Sequence, residues 1–182
     1  MKRTLANAVL FQLMWFVCVQ GHNALALVAT VLALLIHARF WVTKHAEWQL
    51  IAGFTVMGFL FDSLINTAGW ILFSGSLRVT NSTVPVVIAP VWLLCLWLMF
   101  ATTLCHSLLW LNRYPWVSVL LACSAVPLSY YAGGHLSGSV LSQPVVIPLL
   151  AEAAIWAILL PSGLRVAGKI MDNNSPRMNT ND

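Results

Sequence analysis

Six long apolar runs, separated by short polar segments, make up most of the chain. The runs cover about 4–20, 23–42, 48–73, 86–111, 116–134 and 144–163. Because an α-helix rises about 1.5 Å per residue, about 20 apolar residues cross roughly 30 Å of hydrocarbon. The runs are too long and too uniformly apolar for the strands of a membrane barrel. The pattern predicts an all-α membrane protein: a bundle of six transmembrane helices over 1–164, followed by a polar cytoplasmic tail over 165–182.

The basic residues indicate which side of the membrane each connector faces. If every run crosses once, Arg78 stands alone on one side and the other basic residues share the opposite side. These are Lys2, Arg3, Arg39, Lys44, Arg113, Arg165, Lys169 and Arg177. Cytoplasmic segments of membrane proteins carry an excess of Lys and Arg. The distribution predicts a multi-pass protein with both termini in the cytoplasm.

The composition excludes a soluble domain. Of the 182 residues, 60% are apolar and only 8% are charged, which is too few to cover the surface of a soluble domain of this size. The net charge of +4 does not indicate nucleic-acid binding, because the bases are spread over several connectors and a tail. They are better explained as topology determinants beside anionic lipid headgroups.

Two acidic residues lie where lipid-facing residues are expected. Asp62 is about 14 residues past Trp48, hence roughly 20 Å along the third run and near the bilayer midplane. Glu152 is about ten residues into the sixth run, at a similar depth. No Lys or Arg is predicted at that depth, so at least one carboxyl group is expected to be neutral. Gly58 and Asn66 share the helical face of Asp62, and this face should point into the bundle.

The acids define a candidate polar pocket inside the bundle. Its members are Asp62, Asn66, Glu152, Gln12, His106, Ser129 and Tyr130. One interpretation is a proton- or cation-linked site, because ionisable residues within a membrane are costly and are usually functional. The alternative is a pair of neutral acids that hydrogen-bond to the amides and hydroxyls of this set and hold the helices together. The sequence leaves both interpretations open.

The histidines give a weaker signal. His106, near the end of the fourth run, is a candidate proton carrier because imidazole titrates near neutral pH, and the alternative is a hydrogen-bonded packing residue. The others lie near the ends of runs, where water is expected to reach them: His22, His37, His45 and His135. No HxxxH or HExxH spacing occurs, and the four cysteines have no CxxC spacing. We therefore predict no metal centre and no cofactor.

Small residues recur along one face of the fifth run. Ser118, Ala122, Ala125, Ser129 and Ala132 follow one another at steps of four, three, four and three. Small side chains let helix backbones approach closely where lipid provides no hydrophobic drive for association. We predict a tight helix–helix seam here, with a functional groove as the alternative.

Two prolines, Pro85 and Pro90, precede the main part of the fourth run. Proline at this spacing disfavours a regular helix start, which leaves an interfacial or re-entrant segment as one interpretation of residues 85–92. We expect simple helix initiation instead.

Segments spread over nearly the whole chain form a specific combination. They are residues 7–12 with Trp15, the run around Asp62, residues 90–92 continuing to Trp97, Phe100, residues 106–107 and Trp110, and residues 127–130 followed by Gly133. This combination resembles a family of small bacterial inner-membrane proteins known only as a domain of unknown function. Members often lie near genes for cyclopropane fatty-acid synthesis and related lipid modification. The resemblance implies an inner-membrane location and a lipid-linked envelope role, but no particular activity.

Three functions are compatible with these features. The favoured one is a lipid-associated accessory or structural subunit, which binds membrane lipid or a partner membrane protein. The second is a small proton- or cation-coupled transporter that uses Asp62 and Glu152, although no inverted repeat is visible. The third is an intramembrane lipid-modifying enzyme with Asp62, Glu152 and His106 as acid–base groups. The chain contains no GxSxG, Walker or dinucleotide-binding motif, which argues against an enzyme.

Overall fold

Helices make up most of the computed structural model, which describes residues 1–79 and 86–172. The helices of this part are α1 Lys2–Gln20, α2 His22–Phe40, α3 His45–Thr67, α4 Val91–Ala101, α5 Pro115–Ser137 and α6 Val146–Asp172, with a 3₁₀ helix over Leu109–Arg113. Four segments are long and apolar enough to cross a membrane: Asn23–Phe40, His45–Thr67, Pro115–Ser137 and Val146–Asp172. By length and composition, these helices identify a membrane protein.

Short strands cap one end of the helices. They are β1 Ile71–Leu72, β2 Leu77–Val79, β3 Val86–Ile88 and β4 Val140–Leu141. The antiparallel pair β1–β4 places Ile71 opposite Leu141, and the antiparallel pair β2–β3 places Arg78 opposite Val87. The prediction that the fourth helix begins directly at residue 86 is wrong. Residues 86–88 form strand β3, and helix α4 begins at Val91. Residue 85 lies outside the described part.

Helix α3 ends at Thr67 rather than at residue 73, where the apolar run ends. The reason is local. Gly69 has a φ of +74°, a left-handed conformation that glycine adopts without a Cβ penalty, and the Trp70 N–H donates to the Ile65 carbonyl across the turn. The chain then leaves the helix and enters β1. An apolar run therefore does not guarantee one continuous helix.

The fourth run is also divided. Regular helix α4 stops at Ala101, and the Thr102 and Thr103 hydroxyls donate to the carbonyls of Met99 and Phe100 at 2.7 and 2.5 Å. Such back-bonding by Thr competes with helix continuation. Turns and the 3₁₀ helix follow. The apolar residues 102–111 thus belong to an irregular buried segment rather than to the helix predicted over 86–111.

Asn7 of α1 stabilises this irregular segment. Its Oδ1 accepts hydrogen bonds from the Ser107 N–H at 3.3 Å and the Ser107 hydroxyl at 2.7 Å, and its Nδ2 donates to the Thr102 carbonyl at 3.5 Å. Asn7 is 1% exposed. Backbone N–H and C=O groups that are buried away from water need hydrogen-bond partners. The Asn7 side chain provides partners for Thr102 and Ser107, where regular helix α4 has ended.

Helix α6 continues to Asp172, so residues 165–172 of the predicted tail are helical. The rest of that tail lies outside the described residues. The Lys44 ammonium, at the start of α3, donates to the carbonyls of Ile170 and Met171 near the end of α6. A cation at a helix C-terminus also interacts favourably with the helix dipole.

The helices pack as a bundle in which α4 is central. It contacts α1, α2 and α3, while α6 packs along α5 and against α3. The core contains an aromatic cluster formed by Phe54, Trp97, Phe100 and Trp156, where the Trp97 and Trp156 rings stack at 4.6 Å with 12° between their planes. Gly58 makes this packing possible, because a Cβ there would overlap the Trp97 ring. Helices α1 and α5 meet over a smaller area.

Candidate functional site

Asp62 is the centre of a buried hydrogen-bonded group. It projects from α3, is 1% exposed, and accepts the Trp97 indole N–H at 2.5 Å on Oδ2 and the Tyr130 hydroxyl at 2.8 Å on Oδ1. The three residues belong to α3, α4 and α5. Gly58 lies one turn earlier on the same face of α3 as Asp62, so the close approach of the Trp97 ring there also brings its N–H to the carboxyl group.

Glu152 of α6 lies beside this group. Its carboxyl group interacts with both Asp62 and Tyr130, and it is 1% exposed. Among the described residues, its Oε1 has no hydrogen-bond partner and neither acid has an ion-pair partner. Two acidic side chains are therefore buried next to each other with no cation beside them in the described part of the chain, which is a costly arrangement inside a membrane.

The acids do not lie at the middle of their helices. Asp62 is five residues from the end of α3 at Thr67, or roughly 8 Å at the helical rise, and Glu152 is six residues after α6 begins at Val146, or roughly 9 Å. We expected Asp62 near the bilayer midplane because the apolar run continues to residue 73, whereas helix α3 ends at Thr67. The pair lies toward the end of the bundle that carries the strands.

A cavity of about 490 Å³ lies next to the acid pair, between α1, α4 and α5. Its lining is largely apolar and includes Phe11, Leu96, Phe100, Leu128 and Gly133. The exposed residues Gln12, Ala125, Leu128 and Ala132 also line it, so the cavity opens at the surface as a groove between α1 and α5. We call this feature the α1–α5 groove.

Aromatic residues supply some of the polar atoms at the wall of the groove, beside Gln12 and Ser129. Trp97, Tyr130 and Trp156 line it, and the Trp156 N–H donates to the Tyr130 hydroxyl at 3.5 Å. Asp62 and Glu152 are not among the lining residues. Trp97 and Tyr130 both donate to Asp62 and both line the groove, so these two side chains separate the acid pair from the cavity.

The small residues of α5 have two different roles. Ser118 and Ala122 are fully buried, as expected for a helix–helix seam. Ala125, Ser129 and Ala132 instead line the groove, and Ser129 accepts the Trp15 indole N–H at 3.1 Å across the gap between α5 and α1. The stripe thus provides close packing in one half and an open groove in the other.

The predicted polar pocket is only partly assembled. Asp62, Glu152 and Tyr130 lie together, while Gln12 and Ser129 line the adjoining groove. The remaining two members lie elsewhere and are described separately. The residues that sequence reasoning missed are the indoles of Trp15, Trp97 and Trp156, since nothing in an apolar run shows that a tryptophan N–H points to a carboxyl or hydroxyl group.

Asn66, one turn beyond Asp62, connects α3 to the loop before β2. Its Nδ2 donates to the Ser76 hydroxyl at 2.6 Å, and that hydroxyl donates to the Phe73 carbonyl at 2.7 Å. Within the described part of the chain, Asn66 Oδ1 has no hydrogen-bond partner. Asn66 thus positions the loop over the end of the bundle.

His106 lies at the opposite end of the bundle from the acid pair. It approaches Glu47, with Nε2 2.9 Å from Oε2. Glu47 and Asp62 are fifteen residues apart on α3, or roughly 22 Å at the helical rise. His106 therefore cannot act as an acid–base group together with Asp62 and Glu152.

His37, expected near water, is instead fully buried beside His106. Its exposure is 0%, and the two imidazole centroids are 5.2 Å apart. Glu47, which carried no sequence signal as a site residue, is 1% exposed. We call these residues the His37–Glu47–His106 cluster. Their positions in three separate segments explain why no short motif revealed them.

Comparison with known proteins identifies a family but no function. The model of the family described as "Protein of unknown function (DUF2878)" matches residues 4–162, and the chain belongs to this family. Searches of the curated proteins and of the solved structures found no match. The expected membership in a family of unknown function is confirmed.

Proposed function

We propose that this protein is a lipid-associated subunit of the bacterial inner membrane, with the α1–α5 groove as the binding site for one acyl or isoprenoid chain. The supporting observation is the groove itself. At about 490 Å³ it falls within the range of ligand sites, and it combines a largely apolar lining with a few polar groups at one wall. An apolar chain needs such a lining, and the polar wall suits the region where the chain joins its headgroup.

The position of the groove supports lipid rather than a water-soluble ligand. It is bordered by exposed residues of α5, one of the four helices long and apolar enough to span a membrane. Side chains that border its mouth, such as Leu128 at 67% exposure, are apolar and suit contact with acyl chains. A lipid tail could enter sideways from the bilayer without crossing water.

The proposal includes six crossings with both termini in the cytoplasm. Helix α1 and the segment from α4 through the 3₁₀ helix provide the two crossings beyond the four long apolar helices. Arg39, Lys44 and Arg113 lie near the end of the bundle that carries the His37–Glu47–His106 cluster, and Arg78 lies on a strand at the other end. This distribution follows the positive-inside rule.

The topology is tested by cysteine labelling in a variant without native cysteines. Val79 and Asp172 are exposed and lie at opposite ends of the bundle, so cysteines there should react from opposite sides of the membrane. A membrane-impermeant maleimide applied to intact spheroplasts should label position 79 and spare position 172. Labelling of both from the same side would contradict the six crossings.

Lipid binding is tested by mass spectrometry of lipids that co-purify with the protein in nanodiscs or mild detergent. Ala125→Phe places a ring in the groove, and Gly133→Leu fills space where a Cβ would still be 3.6 Å from the nearest atom. Both variants should lose most of the retained lipid. Leu120→Phe is the matched control, because Leu120 is 58% exposed on α5 and does not line the groove. Equal lipid retention in all variants would refute the site.

A second candidate function is proton-coupled transport, and one contact favours it. The Tyr130 hydroxyl bonds to Asp62, neighbours Glu152 and lines the groove, so it could pass a proton between the acid pair and a bound molecule. Proton flux into liposomes that contain the purified protein should then depend on Asp62 and Tyr130. Flux equal to that of protein-free liposomes would leave only the accessory role. The distance of His106 from the pair argues against the enzyme that would use all three groups.

A further inference from the structure

The His37–Glu47–His106 cluster brings three metal-binding side chains together from three parts of the fold. His37 lies near the end of α2, Glu47 lies in the first turn of α3, and His106 lies in the irregular segment after α4. One donor atom from each residue lies within 4.8 Å of the other two. Two imidazoles and one carboxylate form a ligand set that Zn²⁺ and Fe²⁺ use in proteins.

The polar atoms of the cluster lack other partners. In the part of the chain that the structure describes, His37 Nδ1 and Nε2, Glu47 Oε2 and His106 Nε2 make no hydrogen bond. His106 Nε2 and Glu47 Oε2 are 2.9 Å apart, at ion-pair distance, whereas neither nitrogen of His37 has a hydrogen-bond partner among the described residues. Buried polar groups are normally satisfied, and an ion is one of the usual reasons for an exception.

Glu47 is oriented by its other oxygen. Oε1 accepts hydrogen bonds from the Thr43 N–H at 2.8 Å, the Thr43 hydroxyl at 2.9 Å and the Lys44 N–H at 2.9 Å. These three donors cap the start of α3 and leave Oε2 directed toward the histidines. Metal-binding carboxylates are commonly fixed by such outer hydrogen bonds.

Aromatic side chains orient His37. Trp41 stacks on its imidazole with the ring centroids 5.9 Å apart and 10° between the planes, and Trp48 packs at its edge with a centroid distance of 6.2 Å. The indoles hold the ring and leave both nitrogens free of protein partners. They also limit water access, which strengthens electrostatic attraction between a cation and its ligands.

We propose that His37, Glu47 and His106 bind one divalent first-row transition-metal ion of the zinc class. Tetrahedral ligands about 2.1 Å from an ion are about 3.4 Å apart, so His106 Nε2 and Glu47 Oε2, at 2.9 Å, need to separate by only about 0.5 Å to hold an ion between them. The third donor is farther away, so binding requires a small rotation of an imidazole toward the others. Three protein ligands leave a position open for water or another small ligand.

This proposal departs from the expectation that the protein has no metal centre. That expectation was based on short-range motifs, whereas these ligands are ten and fifty-nine residues apart along the chain. The bound ion would join α2, α3 and the segment after α4. The proposal is independent of the lipid-binding function, since the cluster and the groove lie at opposite ends of the bundle.

The test is metal analysis of protein purified without a polyhistidine tag, followed by titration with Co²⁺ and Zn²⁺. We expect about one metal ion per chain, a visible Co²⁺ absorption band and a higher melting temperature with Zn²⁺. Glu47→Gln should lose all three, and its amide oxygen can still accept the bonds of Thr43 and Lys44, so the helix cap remains. His37→Ala and His106→Ala should also lose them.

His45→Ala is the matched control, because His45 is an exposed histidine two residues from Glu47 and outside the cluster. It should bind metal like the wild-type protein. If the alanine variants do not fold, the wild-type protein and Glu47→Gln decide the question. Absence of a saturable site in the wild-type protein, or equal binding in Glu47→Gln, would overturn the proposal.

Discussion

The protein contains two buried polar clusters at opposite ends of one helix, and they differ in how their groups are satisfied. At the Thr67 end of α3, both oxygens of Asp62 accept hydrogen bonds from neighbouring helices. At the His45 end, the atoms of His37, Glu47 and His106 that face one another make no hydrogen bonds among the described residues. Each polar donor or acceptor buried without a partner costs about 1–3 kcal/mol.

The Asp62 group is held together by side chains of the protein, whereas the His37–Glu47–His106 cluster is the site that we propose for a metal ion. The Asp62 group connects α3, α4 and α5 with side chains of the protein itself, so it can form as the chain folds. In the His37–Glu47–His106 cluster, the proposed ion would satisfy ligand atoms that make no hydrogen bond in the described part of the chain. We therefore expect the first cluster to control folding stability and the second to control ligand-dependent stability.

The largest expected effect is that of Asp62→Ala. This change leaves the Trp97 N–H and the Tyr130 hydroxyl buried without their acceptor, which should cost about 2–5 kcal/mol of unfolding free energy. Asp62→Asn keeps one acceptor oxygen and should cost clearly less. Chemical denaturation in micelles, followed by tryptophan fluorescence, measures both. An Asp62→Ala variant as stable as the wild-type protein would show that these bonds contribute nothing.

Gly58→Leu should have the next largest effect. The added side chain overlaps the Trp97 ring and should move its N–H away from Asp62, at a cost of about 1–3 kcal/mol. Gly53→Leu is the control on the same helix, because a Cβ there meets nothing within 4 Å. The same denaturation measurement applies. Equal melting behaviour of the two variants would contradict the close approach of Trp97 to α3.

Asn7→Ala tests the end of the bundle that carries the His37–Glu47–His106 cluster. It removes the acceptor for Ser107, next to His106, and should cost about 1–3 kcal/mol. It should also weaken Co²⁺ binding, because His106 would no longer be held in place. Asn7→Asp retains the acceptor oxygen and should bind better than Asn7→Ala. Unchanged Co²⁺ affinity in Asn7→Ala would show that Asn7 does not position His106.

Tyr130→Phe should have the smallest effect. It leaves Asp62 Oδ1 and the Trp156 N–H without this partner while the Trp97 N–H still donates to Asp62, so we expect a loss of about 1 kcal/mol, the lower end of the range for a buried unpaired group. Zn²⁺ should raise its melting temperature as much as that of the wild-type protein. A loss of the Zn²⁺ effect in this variant would mean that the two clusters are not independent.

Sequence reasoning predicted the Asp62 group better than the His37–Glu47–His106 cluster. The spacing of Gly58 and Asp62 placed both on one helical face, and the structure confirms that this face is buried. Glu152 was grouped with Asp62 in one candidate pocket because both lie deep in apolar runs, and the structure places the two acids next to each other. A costly residue in an apolar run is a strong local signal.

The other cluster could not be predicted because it depends on where helices end. His37 and Glu47 lie at helix ends that a hydropathy pattern places only approximately, and His106 lies in a segment that appeared to be continuous helix. The break after Ala101 follows from Thr back-bonding and from Asn7, a partner almost a hundred residues away. The groove was only the alternative to a tight seam, since small residues serve a seam and an open surface equally well.

The most direct test of the lipid-binding function is photo-crosslinking in the native membrane. Cells would be fed a fatty acid with a diazirine on its chain, irradiated, and the crosslinked peptides mapped by mass spectrometry. We expect crosslinks concentrated at groove residues such as Phe11, Leu96 and Leu128. Crosslinks no more frequent there than on the exposed face of α2, at Val28, Leu32 and Leu35, would contradict a bound chain.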